Sequence, residues 1–212
     1  MLRKLPIVGV LGSGSPISPE RAALARAVGA MVARLDAHLL TGAGYGVMEA
    51  AAEGFVAVEQ RRGLSIGIVP RDPTGPINAP NRTPEGRPYP NPFVEVAVFT
   101  PLPPRVLDWR HAPCRNHVNV LTSHALVALP GADGTRNELE MAAEFGPGCE
   151  AARETCGIIL IGPREEFPAQ AAAAFFHADS IEEAEGRLAL FLGKAPADPP
   201  ETRHDFIPQP PH

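Results

Sequence analysis

The run Ala125-Leu126-Val127-Ala128-Leu129, followed by Pro130-Gly131-Ala132-Asp133-Gly134-Thr135-Arg136-Asn137-Glu138, sets the fold class. The first five residues are a short, uninterrupted apolar run, the pattern of a strand buried on both faces of a parallel sheet. A glycine loop comes next, and Leu139 to Phe145 then carries a helical pattern. Strand, glycine loop and helix N-terminus in that order make an anion site: the free N–H groups of the first helical turn and the positive end of the helix dipole both favour a phosphate. Glycine lets the backbone come close to such a ligand.

Working outward, the same unit recurs. Ile7-Val8-Gly9-Val10-Leu11 reads as a strand, and Gly12-Ser13-Gly14-Ser15-Pro16 as its loop. Ser18 is placed as an N-cap, with Pro19 opening a helix that runs to about Leu35. His38-Leu39-Leu40 is a strand, Thr41-Gly42-Ala43-Gly44-Tyr45-Gly46 a second glycine loop, and Val47 to Gln60 a helix. Leu64 to Val69 is a third strand, closed by Pro70. The alternation predicts a three-layer α/β/α domain with a mostly parallel sheet and right-handed crossovers. Residues 70–92 show no period and read as a long irregular loop. Strands are expected at Phe93–Phe99, Gly157–Ile161 and Phe175–His177, and helices at Pro113–Ser123 and Ala169–Ala174. A last helix opens on the capping box Ser180-Ile181-Glu182-Glu183 and ends near Gly193. Residues 1–194 form one domain in this reading, and 195–212, rich in proline, form a tail.

Bulk properties narrow the function. A length of 212 residues suits one domain with a sizeable core. The formal net charge of -5 and a pI near 5.8 argue against a general nucleic-acid binder. Three cysteines without a CxxC pair, no leader-like apolar core and no bilayer-length apolar stretch predict a cytoplasmic protein with no membrane partner.

In an open parallel sheet, ligands bind beyond the carboxyl ends of the strands, so the three glycine loops should converge on one edge. The candidates for a phosphate and nucleotide seat are Gly12 and Ser13 on the first loop, Gly42, Gly44 and Gly46 with Glu49 on the second, and Gly131, Asp133, Gly134 and Thr135 on the third. Neither the spacing of a dinucleotide fingerprint nor that of a P-loop is present, so a mononucleotide is the better fit.

Three motifs carry a family resemblance. Thr41 to Ala51 is similar to the TGGGxGxMEAA stretch of the Lonely Guy (LOG) family, Pro130 to Glu138 resembles its PGGxGTxxE, and Gly12-Ser13 matches its first loop. Arg115 stands where that family has an arginine before the strand. The resemblance covers about residues 6–194. It implies a Rossmann-like fold, usually dimeric, and a nucleoside 5′-monophosphate phosphoribohydrolase that releases a base and ribose 5-phosphate. It implies Arg115 and Glu138 as the catalytic pair, with Gly131, Gly134 and Thr135 on the phosphate, and no required cofactor. Ala43 and Ala132 stand where the family has glycine, and Arg115-Asn116 where it has Arg-Lys. The run Arg115-Asn116-His117-Val118-Asn119-Val120 also resembles the molybdenum cofactor carrier proteins, a sister branch that binds without hydrolysing. That branch implies the alternative: a binding protein or nucleotide sensor with a molybdopterin-type ligand.

On chemical grounds a carboxylate beside the sugar can stabilise the oxocarbenium-like cation formed as a base departs. At its ordinary pKa of about 4.3, Glu138 is ionised near neutrality. Arg115 can pair with that carboxylate or hold the phosphate or the base. Competing structural readings stand beside these. Thr135 and Glu138 have the T-x-x-E spacing of a capping box. Glu49 can complement its helix dipole. Tyr45 can stack on a base or cover the sheet edge. Arg71, Arg82, Arg87, Arg105 and Arg110 can screen an anion or simply be solvated. His111, Cys114 and His117 fall at i, i+3 and i+6, but the third drifts round the helix and no fourth ligand is evident, so no metal site is expected.

Overall fold

The computed structural model describes residues 4–71, 81–83, 86–147 and 156–194. The elements are β1 (Ile7–Leu11), α1 (Pro19–Arg34), β2 (His38–Thr41), α2 (Val47–Val56), β3 (Ser65–Val69), β4 (Asn81–Arg82), β5 (Pro88–Tyr89), β6 (Val96–Phe99), α3 (Arg115–Thr122), β7 (Ala125–Ala128), α4 (Asp133–Phe145), β8 (Ile158–Ile161), α5 (Ala169–Ala174), β9 (Phe176–Ala178) and α6 (Ile181–Phe191). Seven strands form one sheet in the order β6-β3-β2-β1-β7-β8-β9, and β4 pairs with β5 in a separate two-stranded sheet. Every pairing in the large sheet is parallel.

Continuous apolar strands arise because both faces are covered. Along β7, Ala125 and Val127 join the core shared with α1, α2 and α6, while Leu126 and Ala128 join the core shared with α3, α4 and α5. Ile159 and Ile161 of β8 face the first core, and Ile158 and Leu160 the second. The period of two is present, but it separates two apolar environments rather than an apolar from a polar one. The α/β/α layering is therefore the expected one.

Local signals hold at the helix starts. The Ser18 hydroxyl accepts from the Arg21 N–H at 3.2 Å, with Pro19 opening α1. The Ser180 hydroxyl accepts from the Glu183 N–H at 3.1 Å. Ends are less faithful. α2 stops at Val56 rather than Gln60 because the chain must turn back to set Gly63 against the Ala37 carbonyl, where a Cβ would collide, before entering β3. The strand expected from Phe93 begins at Val96: Asn91 folds the preceding residues into a turn, accepting from the Phe93 N–H at 3.1 Å, and Phe93 packs on the α1/α2 core. The helix expected over 113–123 covers 115–122. Within the 70–92 loop, residues 81–82 and 88–89 form an antiparallel pair rather than irregular chain; residues 72–80 and 84–85, and the expected tail at 195–212, lie outside the described residues. No helix of the described residues is long and apolar enough to cross a membrane.

Candidate functional site

Strand order reverses at β1, which has β2 on one side and β7 on the other. The crevice of a doubly wound sheet opens at such a switch point, beyond the carboxyl ends of the strands. The loops after β1, β2 and β7 meet there, and Ser13 is their junction. The Ser13 carbonyl accepts from the Val47 N–H at 2.9 Å. A Cβ on Gly46, whose φ is +65°, would lie 2.5 Å from the Ser13 and Ser15 carbonyl oxygens. A Cβ on Gly131 would lie 2.8 Å from the Ser13 nitrogen and collide with the Thr135 hydroxyl. Gly12 is packed instead on the Val47 side chain, which a Cβ would strike. Gly46 and Gly131 permit backbone contact between the loops, the tightness that no side chain would allow.

The third loop leads into α4 with Ala132 as the N-cap and no side-chain cap. The capping-box reading therefore fails: Thr135 lies inside the first turn, not at the cap, so Glu138 is one turn too deep to reach the cap N–H. Thr135 and Glu138 are both buried. Asp133 is exposed at the helix start, and a Cβ on Gly134 would meet open space, so the approach to the first turn is clear.

Arg115 is the first residue of α3, its N–H donating to the Pro103 carbonyl at 2.8 Å. Its guanidinium lies against Gly42, where any Cβ would collide with Nη1. Its Nε is buried without a hydrogen-bond partner. Glu138 is 7% exposed, and its Oε1 accepts from Asn119 Nδ2 at 2.8 Å. Burial pushes its carboxyl above the ordinary range, opposed by the Arg115 guanidinium and the Asn119 hydrogen bond. The expectation of a carboxylate with an ordinary pKa is thus corrected: a sequence carries no record of how little water reaches the group.

Two groups at the site come from the stretch expected to be irregular. The Tyr89 hydroxyl donates to the Gly42 carbonyl, and burial pushes its phenol up, with Arg115 lowering and Glu138 raising it. Asn91, 1% exposed, donates from Nδ2 to the Gly44 carbonyl at 2.7 Å, and its N–H donates to the Ala43 carbonyl at 2.9 Å. Ala43 itself has φ +63°, the left-handed conformation that favours the glycine it replaces. No periodicity marks Tyr89 or Asn91. Asn119 had a usable signal: it lies four residues after Arg115, on the same face of α3.

A cavity of about 1130 Å³ opens beside the loops. Gly14, Gly44, Gly46, Glu49, Tyr89 and Arg115 are among its lining residues, as are Arg26, Arg71, Arg82 and Arg87. Gly12, Ser13, Gly42, Gly131, Asp133, Gly134, Thr135 and Glu138 are not. Cavity and glycine-loop crevice are adjacent, and Arg115 belongs to both. Glu49 pairs with Arg87 at 2.9 Å, and the Arg87 guanidinium sits 3.4 Å from the centre of the Tyr45 ring, covering the face that a stacking base would need. Arg110 is instead engaged by Glu144 and Trp109, and Arg105 does not line the cavity. His117 Nδ1 accepts from the Cys114 N–H at 3.1 Å, which makes this pair a helix cap, and His111 faces Asp108. Among the described residues no three His, Cys, Asp or Glu side chains gather as a metal-holding group.

The profile of the SLOG cluster4 family matches residues 5–150, more than half of the chain. The chain belongs to the SLOG cluster4 family. A relative from Archaeoglobus fulgidus, described as an uncharacterized protein, is 30% identical over 143 residues, 68% of this chain and 77% of that one. Among solved structures, the molybdenum cofactor carrier protein of Chlamydomonas reinhardtii superposes with a TM-score of 0.61 at 24% identity, covering 90% of this chain and all (100%) of that one. The molybdenum cofactor binding protein of the phototrophic bacterium Rippkaea orientalis superposes with a TM-score of 0.58 at 26% identity, covering 85% and 93%. The SLOG assignment and these neighbours place the chain in the LOG and molybdenum cofactor carrier superfamily, as its motifs implied, with the Rossmann-like fold. Within this SLOG protein the matched span, 5–150, contains every glycine loop, Arg115 and Glu138.

Proposed function

We propose that this protein binds a small phosphate-bearing heterocycle, of the nucleoside monophosphate or molybdopterin class, and acts as a carrier or sensor of it. The phosphate sits at the start of α4, on Gly131, Gly134 and Thr135 with Gly12 and Ser13 behind it, and Arg115 supplies the positive charge. The heterocycle extends past Gly44 and Gly46 into the neighbouring cavity. The observation that carries this reading is the division of the site. Arg115 faces both compartments, whereas Glu138 is buried on Asn119 and does not line the cavity. At about 1130 Å³ the cavity exceeds the roughly 300–1000 Å³ typical of small-molecule sites. The likeness to the Rippkaea orientalis protein, named for binding the molybdenum cofactor, supports the same class.

A second reading, hydrolysis of the N-glycosidic bond of a nucleoside 5′-monophosphate, is favoured by one observation. Arg115 and Glu138 are electrostatically coupled beside the phosphate seat, as the LOG motifs imply for a catalytic pair. For that chemistry Glu138 must be ionised and reach the sugar, and burial disfavours the ionised form. Two measurements separate the readings. Calorimetry with AMP and with a molybdopterin-type ligand reports binding, and incubation with AMP followed by assay for adenine and ribose 5-phosphate reports turnover. Saturable binding without product is the expected result. Product release that disappears in Glu138→Gln would overturn the carrier reading in favour of the hydrolase.

A further inference from the structure

We propose that Asn119 holds Glu138 as a neutral acid in a two-bond acid–amide pair, leaving Arg115 as the uncancelled charge of the anion seat; the charge consequence rests on the binding reading above. Both ends of the Asn119 amide bear on this. Nδ2 donates to Glu138 Oε1 at 2.8 Å. Oδ1 is buried and has no partner. The residue is 1% exposed, so no bulk water can serve that oxygen. An orphaned buried acceptor bears its full desolvation cost.

An ionised carboxylate accepts only, and would leave Oδ1 orphaned beside a negative group. A neutral carboxyl has one acceptor oxygen and one O–H, which match the N–H and C=O of a primary amide edge to edge. The Glu138 O–H then donates to Asn119 Oδ1 while Asn119 Nδ2 donates to Glu138 Oε1, and no buried polar atom of the pair is left over.

The surroundings agree. Among the charged groups of packed elements, Arg115 at the start of α3 acts on Glu138, and Glu138 in turn acts on Tyr89 of β5. Arg115 and the bond from Asn119 Nδ2 both favour the ionised form, yet desolvation outweighs them, and the second bond, from the acid O–H to Oδ1, exists only in the neutral form. Tyr89 is kept protonated by its own burial and adds no charge. With Glu138 neutral, the Arg115 cation is not cancelled by the carboxyl beside it, and the other acid of the seat, Asp133, is exposed at the start of α4. With Glu138 ionised, the two cancel, and an incoming phosphate meets a carboxylate. Asn119 is thus a positioning residue that acts on the ligand through the charge state of Glu138. By linkage, an anion that prefers the neutral form also raises the Glu138 pKa.

The test has two parts. Infrared difference spectra between the ligand-free wild type and Glu138→Gln at neutral pH should show the C=O stretch of a hydrogen-bonded protonated carboxyl, which moves toward the free-acid position in Asn119→Leu. Carboxylate bands alone in the wild-type difference would overturn the proposal, and this readout needs no ligand and no Asn119 variant that folds. Sulfate, whose charge is constant above mild acid, then serves as the anion probe. Its affinity for wild type should fall by about tenfold or more as pH rises through the Glu138 pKa, and stay flat in Glu138→Gln. The same fall in both proteins would overturn the charge consequence. No sulfate binding at any pH, with the acid band present, would overturn the proposed anion seat and the charge consequence, while the acid–amide pair would stand on its spectrum.

Discussion

The guanidinium of Arg115, at the start of α3, rests on the peptide of Gly42 in the loop after β2, and a Cβ at Gly42 would occupy the space that Nη1 fills. Two segments more than seventy residues apart in sequence are thereby fitted to one cation. The colliding atom is the far end of a flexible side chain, so Gly42→Ala should fold, with a stability loss of no more than about 1–2 kcal/mol. Its anion affinity should drop at least as far as that of Arg115→Met. Calorimetric titration with AMP alongside thermal melts checks this, and full affinity in Gly42→Ala would show that the Arg115 position is not critical.

The same substitution elsewhere should behave differently. Cβ atoms at Gly29 and Gly54 would collide with backbone, the Ala51 and Arg26 carbonyl oxygens respectively, where α1 crosses α2. Backbone cannot swing aside as a side chain can. Gly29→Ala and Gly54→Ala are each expected to cost about 2–3 kcal/mol or more through overpacking, despite the better helix propensity of alanine. Urea unfolding of the two variants measures it.

Stability should depend on pH through Glu138. Burial raises its folded pKa above its ordinary value. A group that holds its proton more tightly when folded contributes fully below the unfolded pKa, and that contribution is lost as pH rises through the folded one. Glu138→Gln keeps an oxygen for Asn119 and cannot ionise. It should therefore be more stable than wild type near neutral pH, with the gap narrowing below the unfolded value. Chemical denaturation at neutral and mildly acidic pH tests this; a gap that does not change with pH would contradict the raised pKa.

The β4–β5 segment and the residues after it are tied to the second glycine loop through Asn91, Tyr89 and the Tyr45 hydroxyl, which donates to the Pro88 carbonyl. The Arg87–Glu49 pair is half exposed on the arginine side, and such pairs contribute about 0–1 kcal/mol. Asn91 is buried, and its loss strands the Gly44 carbonyl, an expected cost of about 1–3 kcal/mol. Asn91→Ala should accordingly destabilise the protein more than Arg87→Ala, and should speed amide exchange in the Gly42–Gly46 loop. Equal effects would show that the ion pair, not the amide, anchors the segment.

The layered fold was legible because its signals are local and repeated. Apolar runs such as Ala125–Leu129, the N-caps Ser18 and Ser180, and glycine loops after strands each act within a few residues. Helix and strand ends were less legible. Val56 ends α2 so that Gly63 can meet Ala37, and Asn91, held on the Gly44 carbonyl of the second glycine loop, turns the chain and delays β6; the partners Ala37 and Gly44 are distant in sequence. At the site, the convergence of the three loops follows from parallel strand direction alone, and Ser13 at their junction bears it out. Tyr89 and Asn91 were hidden because an aperiodic, proline-rich stretch does not say what it will lie against.

By itself the sequence determined the alternating α/β pattern, the three glycine loops, and the residue types, Arg115 and Glu138, available to work beside them. These depend on spacing and backbone chemistry, which a sequence records. Only the tertiary structure decided the environments: that Glu138 is buried on Asn119, that Arg115 lies on Gly42 with its Nε unpaired, and that the large cavity is not lined by Gly131, Asp133, Gly134 or Thr135 of the third glycine loop and its helix start. Desolvation and charge coupling are set by what lies within a few ångströms in space, and those neighbours come from segments far apart along the chain.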